Sequence, residues 1–260
     1  MRRAYLHALA ALLLARPASA QTFDHSALDE LLKKHVVKGM VDYDAFASAG
    51  SFKEYLAALA AADVSKLPDR ERLAFWINVY NAYTIEIINQ HEERASIRNI
   101  KKDEGGFPRV RSAWKEPVVK AGGKTYTLDE VENDVIRKQW KEPRVHFALV
   151  CAAMSCPPLR SEAYTGAKLD AQLDSQGRTF VPDAARGSRV DVKKAEVFAS
   201  RIFDWYKEDF GGSKESIGRF IAQYYPESPE KQLLLGGRFE LDYLDYDWTL
   251  NSRFLARLKG

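Results

Sequence analysis

The chain has 260 residues, of which 46% are hydrophobic and 29% are charged, and its formal net charge is +3. This length and composition allow a substantial buried core, which excludes an intrinsically disordered protein. A charge this close to zero produces no overall field that would attract nucleic acid, so we predict no nucleic-acid partner.

The first twenty residues have the pattern of an export signal. Arg2 and Arg3 precede a short apolar run, and Ala18-Ser19-Ala20 is typical of a signal-peptidase cleavage site. We therefore expect cleavage near Ala20 and a periplasmic or secreted protein. The apolar run is far shorter than the ~20 residues that a membrane helix needs, and no later segment is long and apolar enough, so no membrane span is predicted.

The N-terminal part of the chain is predicted to be helical. Apolar residues recur at helical spacing over residues 24–36 and 51–62, and residues 42–46 between them are expected to form an extended link. Pro68 opens a long helix to about His91, which is apolar around much of its circumference and should be central. The predicted organisation is a signal peptide (residues 1–20), an N-terminal helical segment packed on the core (residues 21–67), a main domain (residues 68–251) and a C-terminal tail (residues 252–260).

The second half mixes short strands with helices. A hairpin is predicted over residues 117–127, and Thr127 with Glu130 forms a capping box at the start of the next helix. Residues 144–150, which have an apolar core, are predicted to form a buried strand. The remaining elements are a helix from Thr165 or Gly166 to about Phe180, a strand at residues 189–193, helices at residues 200–210 and from Ser213 to Pro226, and a strand within residues 238–248. The pattern predicts an α+β fold, a helix-rich single domain with a small, mostly antiparallel sheet.

The most reactive side chains lie in one short stretch. His146 is followed by Cys151 and Cys156, which are the only cysteines of the chain. Cys156 is the preferred candidate nucleophile because the Ser-Cys-Pro-Pro turn can present backbone N–H groups to a thiolate, and Cys151 is the second candidate. His146 is the candidate base, and Glu132 is the candidate group that orients it or acts as a second acid or base.

The state of the two cysteines is left open by the sequence. An even cysteine number in an exported protein is typical of disulfides, so a Cys151–Cys156 bridge is an alternative to a reactive thiol, and two inert buried thiols are a third possibility. The spacing is not that of a Cys-x-x-Cys redox pair. It also matches no standard zinc site, so we predict no metal and no cofactor.

Three further residues are candidates for substrate binding: Asn78, Asn81 and Arg144. Asn78 and Asn81 lie three residues apart and therefore on one face of the long helix. Either they contact the substrate or they tie loops to this helix, since a buried Asn needs hydrogen-bond partners. Glu132 likewise has an alternative role, an ion pair with Arg137 or Arg144.

Five motifs follow one another along the chain. They are Phe75-Trp76-Ile77-Asn78-Val79-Tyr80-Asn81-Ala82, residues 128–137, residues 146–159, residues 200–206 with Asp209-Phe210, and residues 243–251. In this order they resemble the domain of unknown function 547 family, and they cover most of residues 68–251. Family members often have His after the Glu of the second motif, where this chain has Asn133. The order of a central helix and a His-bearing strand also loosely resembles papain- and transglutaminase-like thiol hydrolases, but these usually have a Cys at the start of the central helix, and residues 68–91 contain none.

Two functions are compatible with these observations. The first is a thiol-dependent hydrolase or acyl-transferase in which Cys156 attacks an amide or ester and His146 transfers the proton. The second is a non-catalytic, exported binding domain with a Cys151–Cys156 disulfide. In both cases the expected ligand is a small molecule or a peptide-like molecule.

Overall fold

The structure is a computed structural model, and it describes residues 21–103 and 110–258. Within these residues, helices predominate and the strands are short, which confirms the α+β class. No helix in the described part of the chain is long and apolar enough to cross a membrane. The predicted signal peptide at residues 1–20 lies outside the described residues.

The helices surround the long helix α4 (Asp69–Gln90), which is buried over most of its length. The central position predicted for this helix is confirmed, and α1 to α3 share its hydrophobic core. Helix α5 is composite: an α-helical turn (Leu128–Glu130), a π-helical segment (Val131–Ile136) and a second α-helical turn (Arg137–Gln139). The other helices are α1 (Ser26–His35), α2 (Tyr43–Ser48), α3 (Gly50–Ala61), α4 (Asp69–Gln90), α6 (Leu169–Phe180), α7 (Ile202–Trp205), α8 (Lys214–Ala222), α9 (Pro229–Gly236) and α10 (Arg253–Leu258).

The strands form three hairpin-like pairs and one small sheet. Each pair is antiparallel, and in the sheet β7 is antiparallel and β9 is parallel to the central β8. This sheet covers a second hydrophobic core, formed with α6 to α9. The strands are β1 (Val36–Val37), β2 (Met40–Val41), β3 (Lys101–Asp103), β4 (Val110–Ser112), β5 (Val119–Ala121), β6 (Lys124–Tyr126), β7 (Ser188–Asp191), β8 (Glu196–Ala199) and β9 (Glu240–Tyr243).

Residues 144–150 do not form the predicted strand. Pro143–Phe147 is a 3-10 helix, and the Glu142 side chain accepts a hydrogen bond from the first free N–H at its start. Beyond it, Asn81 of α4 donates to the carbonyl of Ala148 and accepts from the N–H of Val150, both at 2.9 Å. Because one side chain satisfies both backbone groups, this buried segment needs no neighbouring strand.

Local caps explain the other differences from the sequence prediction. Asp42 accepts a hydrogen bond from the N–H of Ala45 and begins α2, where an extended link was expected. The predicted helix at residues 200–210 is divided into α7 and the 3-10 helix Lys207–Phe210. Helix α9, capped by Ser228, was not predicted. The predicted capping box of Thr127 and the hairpin at residues 117–127 are both confirmed.

The C-terminal segment lies beside the cysteine loop. Residues 247–251 run antiparallel to residues 152–155, and three backbone hydrogen bonds of 2.8 to 3.1 Å join them. The Ser155 hydroxyl oxygen also accepts from the N–H of Asp247 at 2.8 Å. The end of the domain is thereby held against residues from its middle.

We predict that Asn81→Ala lowers the free energy of unfolding by about 2 to 4 kcal/mol, because it leaves a buried carbonyl and a buried N–H without partners. Urea denaturation measures this change. The matched control is Asn99→Ala, whose exposed side chain makes only a 3.4 Å contact with Glu93. Equal effects of the two substitutions would show that Asn81 does not hold this segment.

Candidate functional site

A cavity of about 310 Å³ opens between α4, α5, α7 and the C-terminal segment. Six of the fourteen described residues in its wall are Tyr or Trp, and the wall also contains the candidate base, the candidate carboxylate and both sulfurs. The lining residues are Tyr80, Trp114, Asp129, Glu132, Asn133, His146, Leu149, Cys151, Cys156, Ile202, Trp205, Tyr206, Tyr246 and Trp248. The fold therefore brings all four candidate catalytic residues, Cys156, His146, Glu132 and Cys151, to one cavity.

Glu132 enters this cavity from the π-helical segment of α5. A π-helical turn inserts an extra residue into the helical repeat and changes the direction of the side chains around it, and such turns are frequent at functional sites. Neighbouring Asn133, which replaces the His common in the resembled family, also lines the cavity. Its side chain donates to Asp129 at 3.0 Å and accepts from Arg137.

His146 is held by a carboxylate that the sequence analysis did not select. Its Nε2 lies 2.7 Å from Oδ2 of Asp209. Asp209 also accepts two hydrogen bonds from Arg137, at 2.6 and 3.0 Å. The Tyr206 ring stacks on the imidazole, with 3.9 Å between the ring centroids. The histidine is therefore fixed in orientation by Asp209 and Tyr206.

The other imidazole nitrogen has no hydrogen-bond partner among the described residues. His146 Nδ1 is buried, and the nearest carboxylate oxygen is Oε1 of Glu132 at 3.9 Å, which exceeds hydrogen-bond distance. The side chains of both residues are buried, at 1% and 8% exposure. A His held at one nitrogen by Asp209, with its other nitrogen unpaired in a cavity, has the geometry of a group that can exchange a proton with a ligand.

The tyrosines of the cavity remain neutral at physiological pH. Burial raises the pKa of Tyr80, Tyr206 and Tyr246 well above the usual value, and the negative charge of Glu132 raises each of them further. Their hydroxyl groups are thus protonated and can both donate and accept hydrogen bonds. The Glu132 carboxylate therefore lies near all three hydroxyl groups and hydrogen-bonds with those of Tyr80 and Tyr206.

Cys151 and Cys156 are joined in a disulfide, so neither sulfur is a free thiol in this structure. The Tyr246 hydroxyl lies 3.2 Å from Sγ of Cys151 and donates to Sγ of Cys156 at 3.3 Å. Ala152, inside the bridged loop, has a φ of 62°, a strained conformation for a residue with a side chain. The disulfide is the alternative that the sequence left open beside a reactive thiol and two inert thiols. Nucleophilic attack by Cys156 stays a prediction, and it applies only to the reduced protein.

Three aromatic side chains form one wall at the mouth of the cavity. Tyr246 lies 4.6 Å from Trp248 and 4.8 Å from Trp205, measured between ring centroids, and the two indoles stack at 5.7 Å. We call Trp205, Tyr246 and Trp248 the aromatic wall. Trp205 is 47% exposed, so an apolar surface faces solvent at the entrance.

The three candidate substrate-binding residues lie outside the cavity. Asn78 makes two hydrogen bonds with the backbone of Tyr164, and Asn81 holds residues 148–150, so their role in tying loops to the central helix is confirmed. Arg144 forms ion pairs with Glu142, Asp170 and Asp174. The ion pair considered between Glu132 and Arg144 is not formed. Substrate contact by Asn78, Asn81 and Arg144 stays a prediction, and it is not supported here because these residues do not line the cavity.

Comparison with known proteins gives one family match. Residues 64–181 match the family described as "Protein of unknown function, DUF547". The chain belongs to the DUF547 family. No curated protein and no solved structure matches it significantly. The matched region of this DUF547 protein includes Glu132, His146 and both cysteines, but Asp209 and the aromatic wall lie beyond it.

Several residues of the site in this DUF547 protein are not predicted from its sequence. Asp209 and Tyr206 were part of a recognised motif, and Trp248 was part of another, but no role in a cavity was given to them. The sequence signal that could have identified Asp209, Tyr206 and Trp248 is that their motifs combine polar and aromatic residues. Among the described residues, no group of three or more His, Cys, Asp or Glu side chains could hold a metal ion.

We predict that Asp209→Asn changes the dependence of stability on pH. The hydrogen bond from His146, and then Arg137, holds the pKa of Asp209 well below its usual value. Its stabilising effect is therefore complete above the unfolded-state pKa of about 3.9 and is lost as the pH falls below that value toward the folded-state pKa. Asp209→Asn should be less stable than the wild type at pH 6 and should lose less further stability between about pH 5 and pH 3.

Urea denaturation at a series of pH values measures this difference. Asp204→Asn is the matched control, because Asp204 makes a half-exposed ion pair with Arg201. The interpretation is wrong if Asp209→Asn loses as much stability in acid as the wild type does.

Proposed function

We propose that this protein binds a small molecule in the aromatic cavity, and that the Cys151–Cys156 disulfide is a structural element of the binding site. The observation that carries the proposal is the combination of a bridged cysteine pair with an open cavity beside it. With no free sulfur, the cavity retains what a binding site needs: apolar surface, a carboxylate and several hydroxyl donors.

The exposed part of the aromatic wall supports this assignment. A large apolar ring at a cavity mouth is unfavourable in water unless something covers it, and ligand sites commonly combine such surfaces with a few polar groups. The volume of about 310 Å³ is at the lower end of the range for ligand sites, so a compact molecule is expected. The disulfide and Tyr246 stiffen one side of this cavity before a ligand arrives, which lowers the entropic cost of binding.

Binding can be detected through the intrinsic fluorescence of the protein. Three of the five tryptophans, Trp114, Trp205 and Trp248, line the cavity, so an occupied cavity should change the emission strongly. A library of compact metabolites screened by fluorescence, with calorimetry of the hits, tests the proposal.

Trp205→Ala is predicted to weaken binding of such a hit at least about tenfold, since it removes a large contact surface at the entrance. The matched control is Phe254→Ala, because Phe254 is also an exposed aromatic residue, at 60%, but does not line the cavity. Calorimetry gives both affinities. Equal affinities for Trp205→Ala and the wild type would place the binding site elsewhere.

We predict that the native protein contains no titratable thiol. Without reductant, iodoacetamide should label neither cysteine, and the mass should be two hydrogens below that of the dithiol. Reduction should expose both thiols and lower the free energy of unfolding by about 2 kcal/mol, because the bridge closes a short loop in the unfolded chain. Labelling of Cys156 before reduction would contradict the structural role of the bridge.

A second candidate function is the thiol-dependent hydrolase or acyl-transferase, acting after reduction. The observation that favours it is that both sulfurs share one cavity with His146 and Glu132. Hydrolysis of p-nitrophenyl acetate by reduced wild type, but not by reduced Cys156→Ser, would support it. Equal rates for the two reduced proteins would exclude Cys156 as the nucleophile.

We also propose that the protein is exported. The signal-like residues 1–20 and the disulfide support this, since stable disulfides form mainly in oxidising compartments. Expression of the full chain in a bacterium and mass spectrometry of the periplasmic fraction test it. A mature protein that begins at Gln21 is expected, and a full-length protein confined to the cytoplasm would contradict the proposal.

A further inference from the structure

We propose that the ligand of the aromatic cavity is an organic cation, specifically a quaternary ammonium or fully alkylated amine that is held against Glu132. This inference rests on the proposed function and adds the chemical class of the ligand. Three independent features support it: the charge of the lining, the nature of its rings and the small number of its free hydrogen-bonding groups.

The lining is anionic. Among the described residues that form it, two are carboxylates, Glu132 and Asp129, and none is Lys or Arg. Asp129 already accepts a hydrogen bond from Asn133, and Arg137 nearby is engaged by Asp209. Phosphates and carboxylates would therefore meet a like charge with no guanidinium or ammonium group in the wall, whereas a cation is attracted.

Within residues 21–103 and 110–258, Glu132 lacks a close cationic partner. Its side chain is only 8% exposed, and the nearest basic atom is Nδ1 of His146 at 3.9 Å. Removing a carboxylate from water without a strong partner is costly, and a ligand that brings a positive charge would offset this cost. Hydrogen bonds with the Tyr80 and Tyr206 hydroxyls offset part of this cost, and a cationic ligand would offset more of it.

The rings of the cavity are suited to a cation. Six aromatic side chains line it, and the electron-rich faces of Trp and Tyr attract positive charge. Two of these rings already contact cations of the protein outside the cavity: Arg98 lies 5.3 Å from the Trp248 ring centroid, and Arg137 lies 4.9 Å from that of Tyr206. Aromatic surroundings with a nearby carboxylate are the usual recognition mode for quaternary ammonium groups.

The scarcity of free acceptors favours an alkylated cation over a primary amine or a guanidinium. A primary ammonium carries three N–H donors and a guanidinium five, and each buried donor needs an acceptor. In the cavity one oxygen of Asp129 already accepts from Asn133, so Glu132 is the main buried carboxylate acceptor and the other acceptors are weaker, neutral tyrosine hydroxyls. A quaternary ammonium has no N–H group to satisfy, and its methyl groups fit the apolar rings. The volume of about 310 Å³ accommodates such a compact group.

The experiment compares three probes of similar shape and different charge on the oxidised wild-type protein. Choline is the cation, 3,3-dimethylbutan-1-ol is its neutral isostere, and 3,3-dimethylbutanoate is the anion. Calorimetry and tryptophan fluorescence follow each titration to about 10 mM, which detects affinities in the millimolar range. Choline should bind at least about tenfold more tightly than the neutral isostere, and the anion should bind least.

Two matched substitutions locate the charge. Glu132→Gln keeps the shape of the side chain and should reduce choline affinity at least about tenfold, while leaving the neutral isostere unchanged. Glu208→Gln removes an exposed carboxylate that does not line the cavity and should change neither affinity. Circular dichroism and thermal unfolding establish that Glu132→Gln is folded. The comparison of probes on the wild type does not depend on any variant.

The outcomes separate this inference from the proposed function. If the neutral isostere or the anion binds as tightly as choline, the cavity is a binding site but not one for cations, and the inference fails alone. If choline does not bind while a compact metabolite from the library does, the cation class is likewise wrong. If choline binds but Glu132→Gln leaves its affinity unchanged, the assignment to Glu132 fails.

Discussion

The cavity depends on the carboxylate of Asp209. This side chain binds two nitrogens of Arg137 in α5 and one nitrogen of His146 in the 3-10 helix, and it follows α7, which carries Trp205. One carboxylate thus connects three segments that each form part of the wall. Hydrogen bonds between charged groups are stronger and more directional than neutral ones, so the network also determines the distances between these segments. The Tyr206 ring stacks on the imidazole and also contacts the Arg137 guanidinium, so it adds a further connection between the same groups.

The polar groups of the cavity differ in how completely they are satisfied. In the part of the chain that the structure describes, Asp209 has three strong hydrogen bonds, whereas Nδ1 of His146 has none and Glu132 has no close cation. Buried polar groups in proteins are usually paired, and unpaired ones tend to have a functional reason. The incomplete pairing is confined to the side of the network that faces the cavity. This distribution is what a site is expected to have when a ligand supplies the missing interactions.

Local patterns in the sequence predicted much of the fold. Pro68 and the apolar residues after it defined α4, Thr127 and Glu130 defined the start of α5, and the glycine pair defined the β5–β6 turn. Each of these depends on residues close together in the chain. The prediction of a strand at residues 144–150 was wrong because it used only neighbouring residues. Their pattern could not indicate that Asn81, 67 and 69 positions away, satisfies the backbone groups of this segment. A strand prediction based on neighbouring residues is wrong where a side chain distant in sequence takes the place of a strand partner.

By itself the sequence determined the α+β class, the central helix and the short stretch that carries His146, Cys151 and Cys156, because helical spacing, caps and turn residues act over a few positions. The tertiary structure alone decided that the cysteines are bridged, that Asp209 holds His146 from 63 positions away, and that Tyr246 reaches the disulfide from 95 and 90 positions away. The aromatic wall also appears only after folding, since the C-terminal segment must first pair with the cysteine loop. Contacts between residues this far apart depend on the arrangement of the whole domain, and no local pattern encodes them.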